Sequence, residues 1–161
     1  MKYNRLMKKK LKFVFAFAVI FVLVLIADLV SKHFLDGKSF VVVSGFFSVF
    51  SAHNTGAAWS FLSGNPYLLA LFSVIFIIVF VICMKFFKNK NSLFYFSFGL
   101  ILSGAFGNLI DRLFLGYVRD FIKLDFINFP IFNLADCALT IGVVLFAIFI
   151  LFFESKKEVK K

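Results

Sequence analysis

The stretch 13–30, FVFAFAVIFVLVLIADLV, decides the fold class. No charge interrupts it before Asp28, and crossing a hydrocarbon core takes about 20 predominantly apolar residues. Because a basic stretch precedes it, a cleavable signal peptide has to be weighed first. Its apolar core is longer than a typical h-region, and no small-x-small cleavage site follows, so an uncleaved anchor is expected. Three further runs of the same kind cover 67–84, 93–110 and 131–153.

The whole composition agrees with four spans. The chain is 62% apolar with a mean hydropathy of +1.00, against roughly 45–50% apolar content in soluble domains. Its 161 residues suffice for one compact domain. The expectation is an all-α integral membrane protein of four transmembrane helices, with 1–161 forming a single domain.

The formal net charge of +10 raises the question of nucleic acid, and the placement of the charges answers it. Lys2, Arg5, Lys8, Lys9, Lys10 and Lys12 precede the first run. Lys85, Lys88 and Lys90 lie between runs two and three, and Lys156, Lys157, Lys160 and Lys161 follow run four. Only Glu154 and Glu158 oppose these basic residues, whereas all six aspartates fall on the other side of the membrane. The positive-inside rule therefore puts both termini in the cytoplasm. The basic excess is topological, aided by anionic membrane lipid, and no nucleic-acid partner is expected.

Between the first two runs, 31–66 forms a long outer connection without Asp, Glu, Lys or Arg from 39 to 66. Its segment SFVVVSGFFSVF is β-branched and aromatic, which suits short strands at the membrane surface within 36–66. The following SAHNTGAAWSFLSGNP carries turn residues ahead of the second helix. The inner loop KFFKNKNS and the tail ESKKEVKK resemble solvated ends. Along the third run, Gly99, Ser103 and Gly107 form a stripe of small residues of the kind that lets helices approach closely in lipid. A second stripe carries Gly104, Asn108 and Asp111. The fourth run opens with Asn133, Asp136 and Thr140 on one face.

Ionisable groups at membrane depth are costly, about 2.5–3.5 kcal/mol for a central aspartate. Asp136 is the sharpest case. Asp120 lies among apolar neighbours in YVRDFI, within reach of Asp136 if the third helix ends near Asp111. Two carboxylates in contact share a proton; one then acts as base on a water while the other protonates a scissile carbonyl oxygen. Alternatively, both are helix-end residues, Asp136 being favoured there by the helix dipole. Spacing alone leaves both readings open. A zinc site needs several ligands at defined spacing, and none is expected. Cys83 and Cys137 fall towards opposite membrane faces, too far apart for a disulfide, and are expected to pack. His53 has no motif supporting a Ser–His–Asp arrangement.

Five blocks carry a resemblance: DLVSK at 28–32, NTGAAW at 54–59, GNLIDR at 107–112, VRDFI at 118–122 and FNLAD at 132–136. Their order and topology are similar to those of lipoprotein signal peptidase, or signal peptidase II, over nearly the whole chain. The resemblance implies four helices with a small extracytoplasmic β-cradle in the bacterial cytoplasmic (inner) membrane. It implies an aspartic endopeptidase that removes signal peptides from diacylglyceryl-modified prolipoproteins, with no cofactor and with sensitivity to globomycin-type inhibitors. Asp120 and Asp136 match the catalytic pair, and Asn54, Gly56, Asn108, Arg112 and Asn133 match substrate contacts.

Physical readings stand beside those roles. Asn54 and Asn133 suit a peptide backbone or a turn and helix end. Gly56 suits close approach or a turn. Arg112 suits a substrate carbonyl or a headgroup phosphate. Asp111 is expected to orient its region through Arg112, Asp28 and Lys32 to form a helix-end ion pair, and Trp59 to anchor at the interface. DLVSK stands where relatives often have DQxTK, and Trp59 replaces a frequent Phe. Arg119 stands where many relatives are uncharged, and is read either as a cation acting on Asp120 or as a headgroup contact. The competing class is a non-enzymatic transporter subunit or assembly factor, but the broken helices and inverted repeats of a transporter are not found.

Overall fold

The structure is a computed structural model describing residues 2–56 and 64–154. In chain order it consists of α1 (Lys2–Leu35), β1 (Ser39–Val43), β2 (Phe47–Asn54), α2 (Pro66–Cys83), α3 (Ser92–Leu115), β3 (Val118–Leu124) and α4 (Leu134–Phe149). A short 3₁₀ turn extends α2 over Met84–Phe86, and a π-helical turn extends α4 over Ile150–Glu154. Four stretches, Leu11–Leu35, Pro66–Phe86, Ser92–Leu115 and Leu134–Glu154, are long and apolar enough to cross a membrane. Trp59 lies outside the described residues.

Helix ends follow local chemistry. Pro66 opens α2 at a position where its missing N–H costs nothing. The Asn91 side chain accepts from the Phe94 N–H at 3.0 Å to start α3. Gly116, at φ 77°, ends α3 in the left-handed conformation. The fourth helix begins at Leu134, later than the apolar run, because Phe132 is drawn into a bridge with Ile122. Asn133 then caps α4 in a reciprocal box with Asp136.

Helix α3 is the buried centre, with α1, α2 and α4 packed against it. Its small residues set the approach of two neighbours. A methyl on Gly107 would run into the Asp28 carboxylate on α1, and one on Gly104 into the Ala135 carbonyl on α4. Gly99 faces Ile20 of α1 in the same way. The two stripes read from sequence thus face two helices, where close packing holds helices together in lipid. The outward surfaces of α1, α2 and α4 are apolar, as at Phe15, Leu23, Phe72, Ile78, Val143 and Val144.

The phenylalanine content has a structural use near the Lys85–Lys90 end. Phe80 stacks on Phe98 with centroids 4.1 Å apart, while Phe94, Phe146 and Phe149 meet edge-on and tilted around Phe87. Offset and edge-to-face pairs contribute beyond their buried area. The nearby loop is less free than expected: the Lys88 and Asn89 N–H groups donate to Glu154 at 3.1 and 3.2 Å.

At the other end lies an antiparallel sheet of order β1–β2–β3. The first two strands come from the segment expected to hold them. The third, VRDFIKL, replaces what sequence presented as plain connection. It pairs with β2 in the register Ala52–Asp120, His53–Arg119 and Asn54–Val118, with an irregularity between Val49 and Ala52. This brings Asn54 beside Asp120 and both above the start of α4.

Candidate active site

Asp120 is supplied by β3 and Asp136 by the first turn of α4. Both line one cavity of about 1000 Å³, together with Asn54, Asn108 and Arg112. Two asparagines connect the carboxylates. The Asn133 Nδ2 donates to Asp120 Oδ1 at 2.6 Å and to Asn108 Oδ1 at 3.1 Å. The Asn108 Nδ2 donates in turn to Asp136 Oδ1 at 2.8 Å. Asp136 Oδ2 accepts from the Asn133 backbone N–H at 3.1 Å, and Asp120 Oδ2 accepts from Asn54 Nδ2 at 3.0 Å. Every carboxylate oxygen of the pair therefore has an N–H donor.

Helix-end and site functions coincide rather than compete. Asn133 spends its Oδ1 on the Asp136 N–H at 3.0 Å, which leaves its amide N–H₂ facing Asp120. Asn54 spends its Oδ1 on the Gly56 N–H at 2.9 Å, with the same consequence. The Asn108 amide is oriented by Lys32, whose Nζ donates to Oδ1 at 2.9 Å. Turning that amide over would set its N–H₂ against an ammonium.

Asp120 is 4% exposed. Its carboxyl is pushed up to about 6, chiefly by burial, with the hydrogen bond from Asn54 opposing and the charge of Asp136 reinforcing. Arg112 reaches the Gly56 carbonyl with Nη2 at 3.4 Å.

Behind the cavity lies a buried charge cluster. Lys32 and Asp28 pair at 2.8 Å with both side chains almost wholly buried, and Asp111 lies 3.6 Å from the same ammonium. Asp28 Oδ1 also accepts from the Ala135 N–H at 2.9 Å, tying α1 to the start of α4. The expected Asp28–Lys32 pair is present. Asp111, however, engages Arg119 and Lys32 rather than Arg112, and Arg119 is turned towards Asp111 rather than towards Asp120 or away to headgroups. Sequence reading missed Lys32 as a neighbour of the site; its position one turn after Asp28 was the available signal.

Ser51 and His53 both engage Asp36, at 3.2 and 2.8 Å, and not each other. Among the described residues no serine is hydrogen-bonded to His53 as a Ser–His–Asp site would require, and the His53 hydrogen bond holds Asp36 below the usual carboxylate range. Cys137 lines the cavity instead of merely packing, and both cysteines are free. Among the described residues no cluster of His, Cys, Asp and Glu is arranged to hold a metal.

A family model described as signal peptidase (SPase) II matches residues 20–152. The chain belongs to the signal peptidase II family. Its relatives in this family include the lipoprotein signal peptidase of Lactobacillus johnsonii, 39% identical over 87% of this chain and 94% of the relative. That of Lactiplantibacillus plantarum is 41% identical over 84% and 93%. A solved bacterial membrane enzyme superposes with a TM-score of 0.79 at 37% identity, covering 91% of this chain and 93% of its own. Signal peptidase II membership makes the chain a multi-pass membrane peptidase, and a carboxylate pair with Asp120 buried and Asp136 half-buried fits the aspartic type.

Proposed function

We propose that this signal peptidase II family member removes signal peptides from diacylglyceryl-modified bacterial prolipoproteins, with Asp120 and Asp136 as its catalytic dyad. One observation carries the reading: two carboxylates from different elements line one cavity, joined through Asn133 and Asn108. Close carboxylates in a shared site hold one proton between them. The ionised member takes a proton from water, whose oxygen attacks the scissile carbonyl carbon. The protonated member delivers its proton to the carbonyl oxygen, giving a neutral gem-diol. The C–N bond then breaks as the carboxyl that took the water proton gives it to the leaving nitrogen. The now ionised partner takes a proton from a gem-diol hydroxyl, which restores the dyad without a covalent enzyme intermediate.

In this reading Asn54, Gly56, Asn108 and Arg112 hold the substrate backbone and the lipid ester, while Asn133, wholly buried, acts through its hydrogen bonds to Asp120 and Asn108. The apolar lining from Phe129 to Phe132 and along Leu139–Ile141 suits a lipid-modified substrate entering from the membrane. The chain works as one unit in the cytoplasmic (inner) membrane with both termini inside, in contact with anionic lipid. A globomycin-type cyclic peptide inhibits by lying between the aspartates. The test is incubation of the purified protein with a diacylglyceryl prolipoprotein. Release of the signal peptide, blocked by globomycin, is expected; an uncleaved precursor would return the chain to the non-enzymatic alternatives.

A further inference from the structure

Arg119 stands one residue before Asp120, and its surroundings give it a use that the dyad chemistry does not require. Asp111, 1% exposed in the last turns of α3, accepts three hydrogen bonds from this single residue. Asp111 Oδ2 takes the Arg119 backbone N–H at 3.0 Å and its Nε at 3.2 Å, and Oδ1 takes Nη2 at 2.7 Å. Two side-on guanidinium bonds to one carboxylate are strong and directional. The contact closes the short turn in which Gly116 ends α3 and β3 begins.

Successive residues of a strand point to opposite faces. Arg119 is directed to Asp111, so Asp120 is directed to Asn54 and Asn133. A one-residue slip or a roll of β3 would exchange the two faces and withdraw Asp120 from the cavity. The sheet and the Ile122–Phe132 bridge hold the rest of β3. Pairing with β2 is irregular between Val49 and Ala52, however, next to the Ala52–Asp120 pair, and that is where the clamp adds its hold. Asp111 is itself held by Lys32 at 3.6 Å, so the clamp fastens β3 to the buried charge cluster of α1 and α3.

We infer that Arg119 is a positioning residue for the hydrolytic reaction, locking the roll and register of β3 through its fork on Asp111 so that Asp120 faces Asp136. This rests on the dyad reading above. Its charge is neutralised by Asp111 and its fork is what matters.

The experiment measures kcat, KM and the pH profile of prolipoprotein cleavage for Arg119→Ala and Arg119→Lys, with Asp120→Asn run in parallel. Arg119→Ala retains the Lys32–Asp111 pair and the backbone hydrogen bond, so it is expected to insert and fold. Its kcat is expected to fall by about 10–100-fold, in keeping with small misplacements of a reacting group, at unchanged KM and unchanged pH profile. Arg119→Lys, with the charge but not the fork, is expected to fall between Arg119→Ala and the parent. Near-parental kcat in folded Arg119→Ala, beside an inactive Asp120→Asn, would overturn the positioning role and leave the dyad standing. Full rescue by Arg119→Lys, or a displaced pH profile, would overturn it in favour of a charge effect. Turnover by Asp120→Asn would remove the dyad reading and this inference with it. Should Arg119→Ala not fold, the Arg119→Lys result alone decides between fork and charge.

Discussion

Replacing Asp120 by Asn separates the cost of the site from its use. A carboxyl held at about 6 in the folded protein, against its ordinary 3.8, binds its proton more tightly folded than unfolded. Stability from this group is fully present below pH 3.8 and is lost as pH rises through about 6. At 1.36 kcal/mol per pH unit the loss at neutral pH is about 3 kcal/mol. Asn removes that penalty but keeps only one acceptor oxygen where Asp120 has two. Asn133 cannot turn its amide over without giving up the cap on Asp136, so the new oxygen faces Asn133 and the new N–H₂ opposes Asn54. Losing that one hydrogen bond costs about 1–2 kcal/mol. The balance is a variant about 1–2 kcal/mol more stable than the parent at pH 7.5, and inactive. Melting in detergent between pH 4.5 and 7.5, beside a cleavage assay, checks both halves. The parent should lose stability over that range and the variant should lose much less. Equal slopes for parent and variant would refute the reasoning, since the buried carboxyl would then not be their source.

Asp28→Asn should be destabilised by about 3–5 kcal/mol, because it leaves the Lys32 ammonium buried without its closest anion; thermal melting reads this. Asp36→Asn and Asp125→Asn should cleave at near-parental rates, Asp36 serving His53 and Ser51, and Asp125 serving Ser48 and Lys123, outside the cavity. Turnover should survive EDTA, and Cys137→Ala should remain active although the thiol lines the cavity; chelator-sensitive activity restored by a metal would count against two-carboxylate chemistry. Reporter fusions after Lys90 and Lys161 should read cytoplasmic and one near Ser51 external, by the charge asymmetry of the loops.

The spans were legible because a hydrocarbon core demands uninterrupted apolar length, which sequence displays directly. The two small-residue stripes of the third run were legible for a similar reason, since helical spacing alone assigns Gly107 and Gly104 to different faces. The third strand was not. VRDFIKL is short and carries charges at Arg119, Asp120 and Lys123, whose partners lie on α3, α4 and in the strand's own exit. The Asp111–Arg119 contact escaped because it depends on the left-handed turn at Gly116, which folds the chain back within eight residues. Asn133 and Asn54 were found as candidates, but how each divides its amide between a local backbone N–H and Asp120 needs coordinates. The Phe cluster was invisible because apolar composition does not say which rings meet.

The most direct test is the residual turnover of Asp120→Asn, Asp136→Asn and the double variant on a diacylglyceryl prolipoprotein, with folding checked by melting in detergent. Groups that act as one unit are non-additive. Each single variant is predicted to lose cleavage while remaining folded and inserted, and the double variant to lose little more than either. Substantial turnover in folded Asp120→Asn or Asp136→Asn protein would contradict the dyad.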